Sequence, residues 1–186
     1  IQNRVVGRFE SAGGRGERDI MPQRMVELDP VDFVTVGTVG PKGRRVFYLQ
    51  AGKGGQMVAV IIEKQQAQAL SEAIAEMLSD LDNRLPGRSV SRDDSARWDM
   101  SLREPVESLF HVAQMGLGYD EERDLIVLVA QELVVGEDDA PVSDPQTVRL
   151  WGTREQFLVL SEHAQSIVQQ GRSDPKSNGH MIYYWT

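Results

Sequence analysis

The chain has 186 residues, of which 40% are hydrophobic and 26% charged, a composition typical of a globular protein. Twenty Lys and Arg residues against 28 Asp and Glu residues give a formal net charge of −8, so we expect nucleic acid to be an unlikely partner, because such a surface cannot neutralise many phosphates. The absence of cysteine excludes disulfides, thiolate metal sites and cysteine nucleophiles.

Residues 1–20 are polar, rich in Gly and Arg, and without hydrophobic periodicity. We therefore predict a disordered N-terminal extension over 1–20. The longest apolar stretches, at 58–62 and 125–130, are too short to cross a bilayer. With no apolar leader at the start of the sequence, we expect a cytoplasmic protein that does not contact a membrane.

Residues 21–82 change from a hydrophobic period of two to a period of 3.6. Alternating, β-branched segments predict strands at 33–39, 45–50 and 56–62, with 25–28 as a candidate fourth strand. An amphipathic helix is predicted from Lys64 to Leu81. Its apolar stripe consists of Ala67, Leu70, Ala73, Ile74, Met77, Leu78 and Leu81. The first half is thus predicted to be an antiparallel βββ meander covered by one helix.

Residues 83–105 contain Pro86-Gly87, several serines and few apolar side chains. This composition predicts a connector loop between two halves. A plain linker is the favoured interpretation. The length of the segment also allows a lid or a binding loop.

The second half, 106–171, repeats the plan with strands at 108–117, 125–131 and 147–151. A capping box, Thr153-Arg-Glu-Gln156, then opens a helix that we expect to end at Gly171. Residues 172–186 form a tail, whose end reads Met181-Ile-Tyr-Tyr-Trp-Thr186. Such an apolar, aromatic run predicts either a last strand docked on the sheet, which we favour, or an exposed adhesive segment.

The two halves share a sequence repeat at a spacing of 90 residues. Gln66 matches Gln156, and Leu70-Ser71-Glu72 matches Leu160-Ser161-Glu162. Recurrence of a strand-to-helix segment indicates a duplicated module. The predicted fold class is therefore α+β, with duplicated βββα modules whose antiparallel meander sheets are each covered by one amphipathic helix.

No motif identifies a reaction. The histidines, His111, His163 and His180, do not fall at a metal-ligand spacing, and Gly52-Lys-Gly-Gly55 lacks the spacing of a phosphate-binding loop. We expect no metal and no cofactor, and the catalytic residues, if there are any, are unknown.

Polar residues at strand ends give the best site hypothesis. If the halves pack about a pseudo-twofold axis, such residues converge on a central cleft between them. The candidate ligand-binding residues are Arg45, Gln50, Glu63, His111 and Gln131. We predict a binding or adaptor protein that engages a protein partner through this cleft or a sheet face. The alternative is an enzyme that acts on a small anionic or phosphorylated metabolite.

The segment from Glu27 to Gln50 carries the string D-P-x-x-F…G-T-V-G…R-x-F-x-L-Q. This string resembles the bacterial family called domain of unknown function 3090, and the similarity extends from about Met25 to Gly171. The resemblance implies no established activity. Family members often end in a cysteine-rich, zinc-ribbon-like tail, and Asp174 stands here where that tail has a cysteine. Zinc binding by thiolates is therefore not expected in this chain.

Overall fold

The computed structural model describes residues 25–88, 90, 98–134 and 144–170. The predicted extension, 1–20, and the predicted tail, 172–186, lie outside these ranges. Within them the chain forms seven strands and two helices, which confirms the α+β class. In chain order these are β1 (Met25–Leu28), β2 (Phe33–Val39), β3 (Val46–Lys53), β4 (Gln56–Ile62), α1 (Lys64–Arg84), β5 (Ser108–Asp120), β6 (Leu125–Glu132), β7 (Thr147–Thr153) and α2 (Arg154–Gln170).

The strands form one sheet in the order β1-β7-β6-β5-β4-β3-β2. β2, β3 and β4 are antiparallel neighbours, as are β5, β6 and β7. β4 pairs in parallel with β5, however, and β1 pairs in parallel with β7. The expectation of antiparallel meander sheets, each with its own helix, is therefore corrected to a single mixed sheet. The crossover that parallel pairing needs is supplied by α1 and the connector.

The sheet is strongly curved. β1 and β2 stand at opposite ends of the strand order, yet residues 29–32 alone separate them in the chain. A flat sheet of seven strands would hold its edges roughly 29 Å apart, whereas this link spans at most about 17 Å. The N–H of Val31 donates to the carbonyl of Trp151 in β7 (2.8 Å), and the N–H of Asp32 donates to the carbonyl of Gly52 in β3 (2.7 Å). The sheet therefore curves until its two edges meet at this link.

A single hydrophobic core joins the sheet to both helices. The helices cross at Ser71 and Ser161, which are each 5% exposed. The Oγ of each serine donates to the backbone carbonyl of the other at 2.8 Å, and the two oxygens lie 3.4 Å apart. Small side chains let the helix backbones approach closely, and the reciprocal bonds leave neither buried hydroxyl without a partner.

Residues 98–104, which we call the strap, run across β2 and β3. The Oγ1 of Thr35 donates to the carbonyl of Met100 (2.6 Å). A Cβ atom at Gly37 would lie 2.5 Å from the Cγ of Leu102, so this close approach requires glycine. This part of the predicted connector is thus packed against the sheet.

Candidate functional site

Gln50, a predicted site residue, holds the strap in place. Its side chain is 1% exposed. Its Oε1 accepts a hydrogen bond from the N–H of Arg103, and its Nε2 donates to the carbonyl of the same residue, both at 2.8 Å. The guanidinium of Arg103 stacks 3.6 Å from the centroid of the Phe33 ring. The polar atoms of Gln50 are therefore engaged by the backbone of this chain.

The other four predicted residues lie on the sheet where β4 ends. Because Phe47 pairs with Ile62, Arg45 just before β3 and Glu63 just after β4 lie at the same end of the sheet. His111 is exposed and pairs with Ile61, and Gln131 contacts the side chain of Gln114. Glu63 caps α1 together with Gln66, whose Oε1 accepts the Glu63 N–H at 2.8 Å. Strand register groups these four residues and separates them from Gln50.

A cleft of about 300 Å³ lies between α1 and β5. Its base includes Leu70 and Leu128, which are 3% and 0% exposed. Two glutamines supply polar atoms, and the other lining residues are apolar or glycine. The complete lining is Gln66, Ala69, Leu70, Ala73, Ala113, Gln114, Met115, Gly116, Leu117 and Leu128. This cleft is mainly apolar and does not contain the five predicted residues.

The cleft exists because two alanines occupy the facing side of α1. At the spacing of 90 residues, Ala69 corresponds to Val159 and Ala73 to His163. Val159 is buried, and the half-buried imidazole of His163 makes a hydrogen bond with the backbone of β2. α2 contacts β2 more extensively than α1 contacts β5. A cavity of about 350 Å³ also lies beside His163, between α2, β2 and the strap, so the two helices differ in how much of the adjacent strand they cover.

One edge of β5 beyond His111 has no strand partner among the described residues. β6 pairs with β5 from Val112 to Asp120, whereas the pairing of β4 with β5 ends at His111. The Nε2 of Gln66 donates to the carbonyls of Val112 (3.1 Å) and Ala113 (3.3 Å). We call residues 113–119 along this side the open edge. It carries no charged side chain that would discourage another strand from pairing with it.

A second, more open cavity of about 510 Å³ lies at the start of α2. There Arg154, only 3% exposed, donates from Nε to Oδ1 of Asp124 (2.7 Å) and from Nη2 to the Tyr119 hydroxyl (2.8 Å). Burial raises the pKa of Asp124, but hydrogen bonds from Tyr119 and Arg154 outweigh it and leave that pKa below its usual value. Arg123, also at this cavity, pairs with Asp29. Arg154 and Arg123 are thus paired with carboxylates of the chain itself. The cavity is therefore a weaker candidate ligand site than the cleft, and in particular a poor one for an anion.

Within the described ranges, no helix is long and apolar enough to span a membrane. The same part of the chain holds no group of three or more His, Asp or Glu side chains that could bind a metal ion.

The fold defines an α+β protein with a curved mixed sheet, two crossed helices and an apolar cleft beside an open strand edge. A family model described as "Protein of unknown function (DUF3090)" matches residues 26–178. The chain belongs to this family, as the resemblance of residues 27–50 indicated. No curated protein and no solved structure matches the chain.

Sequence reasoning missed Ala69, Ala73 and Gly116 because small apolar residues carry no chemical signature. A signal was nevertheless present in the repeat. Ala69 and Ala73 differ from Val159 and His163 at positions that lie on one side of each helix. The sequence repeat therefore marks these two α1 positions by their smaller side chains.

Proposed function

We propose that the protein is a binding protein that takes up an extended, apolar polypeptide segment as an added strand on the open edge of β5. The observation that carries the proposal is the position of the apolar cleft directly beside that edge. In strand addition, backbone hydrogen bonds provide affinity and neighbouring pockets read alternate side chains. The open edge supplies the backbone hydrogen-bonding groups, and the cleft supplies a pocket for side chains.

The burial pattern favours binding over catalysis. The apolar residues Met115 and Leu117 remain partly exposed at the cleft, although they pack against the core. A site that holds a metabolite would be expected to bring several polar groups together in an enclosed space. Gln66, one of the two polar side chains here, already bonds to the backbone at both ends of its amide.

We also propose that the two halves arose by duplication of one module. Gln66 and Gln156 play equal parts: each accepts the N–H three residues earlier, from Glu63 and Thr153 respectively. Each also donates across to the other half, Gln66 to Val112 and Gln156 to Val31 (3.0 Å). With this duplication, Ala69 and Ala73 at the cleft stand at the positions that Val159 and His163 occupy on α2.

The test is selection of peptides from a displayed library of random heptapeptides against the full chain, followed by fluorescence anisotropy with the peptides recovered. We expect recovered sequences to alternate apolar residues and to lack charge. The double variant Ala69→Val/Ala73→His gives α1 the side chains that α2 carries. It should fold normally and weaken peptide binding at least about tenfold, since it fills the pocket that reads the side chains.

The matched control is Ala75→His, which makes one of the same substitutions at an exposed position of α1 away from the cleft. This variant should bind the peptides as the unmodified chain does. Recovery of no peptide, or equal loss of binding in both variants, would reject a peptide site in the cleft.

A further inference from the structure

We infer that this chain forms a twofold dimer in which β5 of each copy pairs antiparallel with β5 of the other along the open edge. This inference rests on the proposed function, because it uses the same edge and the same cleft. It names the added segment as β5 of a second copy. Each copy then supplies the strand that the other takes up, as an isologous contact requires.

β5 has the composition expected of a strand that adds to its own open edge. Its residues 114–119 carry no charged side chain. The apolar residues Met115, Leu117 and Tyr119 alternate along the segment, and all three pack against the core while remaining partly exposed. β5 therefore combines an edge that has no strand partner among the described residues with an uncharged, alternating sequence. A second copy brings both to the contact.

The hydrogen bonds at the start of the open edge determine the register. The Nε2 of Gln66 already donates to the carbonyls of residues 112 and 113, so pairing begins at Gln114. β5 ends at Asp120. A twofold axis that pairs the whole of 114–120 passes beside its middle residue, Leu117.

The same register matches the two faces of the strand. Residues directly opposite in an antiparallel pair project from the same side of the sheet, so a shift of one residue would set core-facing side chains against outward-facing ones. With the axis at Leu117, this residue meets its own counterpart, and Met115 lies opposite Tyr119 of the second copy. The core-facing side chains of the added strand then project toward α1, where Ala69 and Ala73 line the cleft. The pairing forms about six to eight backbone hydrogen bonds.

Charges at the two ends of the pairing are complementary. The added strand lies in line with β4, whose pairing with β5 ends at His111, so the turn after β5 of the second copy arrives where β4 ends and α1 begins. This turn is acidic at residues 120–122. It meets the N-terminus of α1, whose first turn contains Lys64 and no acidic residue, and whose dipole favours negative charge. Glu63 repels the turn, whereas Lys64 and Arg45 at the same end of the sheet attract it.

Sedimentation equilibrium of the full chain tests the inference. One pair of strands is a smaller contact than the interface of a permanent dimer, so we expect the mean mass to rise reversibly from monomer to dimer with concentration. Gly116→Lys should weaken the dimer at least about tenfold, because it places like charges at diagonal positions of the two strands. Gly116 is exposed and an added Cβ meets nothing within 4 Å, so this variant should fold normally.

The matched control is Gly55→Lys, at an exposed glycine that also has open space around an added Cβ but lies before β4, away from the open edge. It should dimerise as the unmodified chain does. An equimolar mixture of Gly116→Lys and Gly116→Glu should restore the dimer, because the diagonal positions then carry opposite charges. A chain that stays monomeric, equal dimerisation of the two lysine variants, or a mixture without recovery would overturn the inference.

Disulfide trapping tests the register, because the chain has no cysteine of its own. Leu117→Cys places two thiols opposite each other at the axis, close to the separation that a disulfide bridges. Met115→Cys separates the two thiols by about four residues, roughly 13 Å along the strand, which a disulfide cannot bridge. We expect at least about tenfold more covalent dimer from Leu117→Cys, since pairing raises the effective concentration of its thiols. Equal trapping in the two variants would reject the pairing of β5 with itself.

Failure of the two proposals can be told apart. If selected peptides bind the cleft of a chain that stays monomeric at every concentration, the second copy is rejected as the occupant and the proposed function stands. If the dimer forms as inferred and no peptide binds the chain at dilutions where it is monomeric, the open edge serves assembly alone. The proposed uptake of other segments is then rejected, and the dimer stands.

Discussion

Gln50 offers a sharp test of whether a predicted site residue is structural. The substitution Gln50→Met keeps the length of the side chain and removes both hydrogen bonds to Arg103. Each such bond contributes about 1 kcal/mol net, so the strap should open about 2 kcal/mol more easily. Since 1.4 kcal/mol corresponds to a factor of ten, opening should rise roughly 30-fold.

Hydrogen exchange with mass spectrometry of residues 98–104 measures this opening. The matched control is Gln131→Met, the same substitution in β6, where the side chain contacts Gln114 and does not touch the strap. We expect faster exchange of the strap in Gln50→Met alone. Exchange that stays within a factor of two of the unmodified chain would refute the conclusion that Gln50 fastens the strap.

Two further predictions concern the helices. Ser71→Ala and Ser161→Ala should each lower the free energy of unfolding by about 0.5–1 kcal/mol in urea titrations, because a buried hydrogen bond is lost while alanine favours the helix slightly. The control Ser79→Ala, at an exposed position of α1, should not lower it. An equal loss in the control would contradict a special role for the helix crossing. Burial lowers the pKa of His163 from 6.5, and its hydrogen bond to the β2 backbone partly offsets this shift. The folded state therefore binds the imidazole proton less readily than the unfolded state does. Folding should lose stability as the pH falls below about 6.5. His163→Gln should reduce the loss of stability between pH 7.5 and 5.5, measured by urea unfolding, and a loss as large as that of the unmodified chain would contradict this assignment.

Local features of the fold were predictable where a short-range pattern determines them. The capping box at Thr153 forms as predicted, with the Gln156 N–H donating to Oγ1 of Thr153 (3.2 Å). The corresponding box at Glu63 was missed because glutamate is an uncommon N-cap residue. Ala73 fits the period of the apolar stripe, yet it is exposed, because a helical period identifies a side of the helix and not what packs against that side.

The joining of the strands into one sheet could not be predicted in the same way. Alternation along β4 and β5 shows which side chains face the core, but nothing in either segment specifies the strand that pairs with its edge. β1 illustrates the point: the sequence offers it only as a candidate fourth strand of the first half, and in the structure it pairs with β7 of the second half. Its position depends on the curvature of the whole sheet, which brings two edges together at residues 29–32.

The repeat separates the residues that maintain the fold from those available for function. Ser71 and Ser161 stand at matching positions of the sequence repeat, and each bonds to the other across the helix crossing, so a change in one would leave its partner with an altered neighbour. Ala69 and Ala73 face no such reciprocal partner and differ from their counterparts in α2. In α2 a histidine at this position bonds to the backbone of the adjacent strand, and in α1 an alanine leaves the adjacent backbone available. The small side chains of Ala69 and Ala73 thus leave a cleft between α1 and β5, beside an edge that has no strand partner among the described residues.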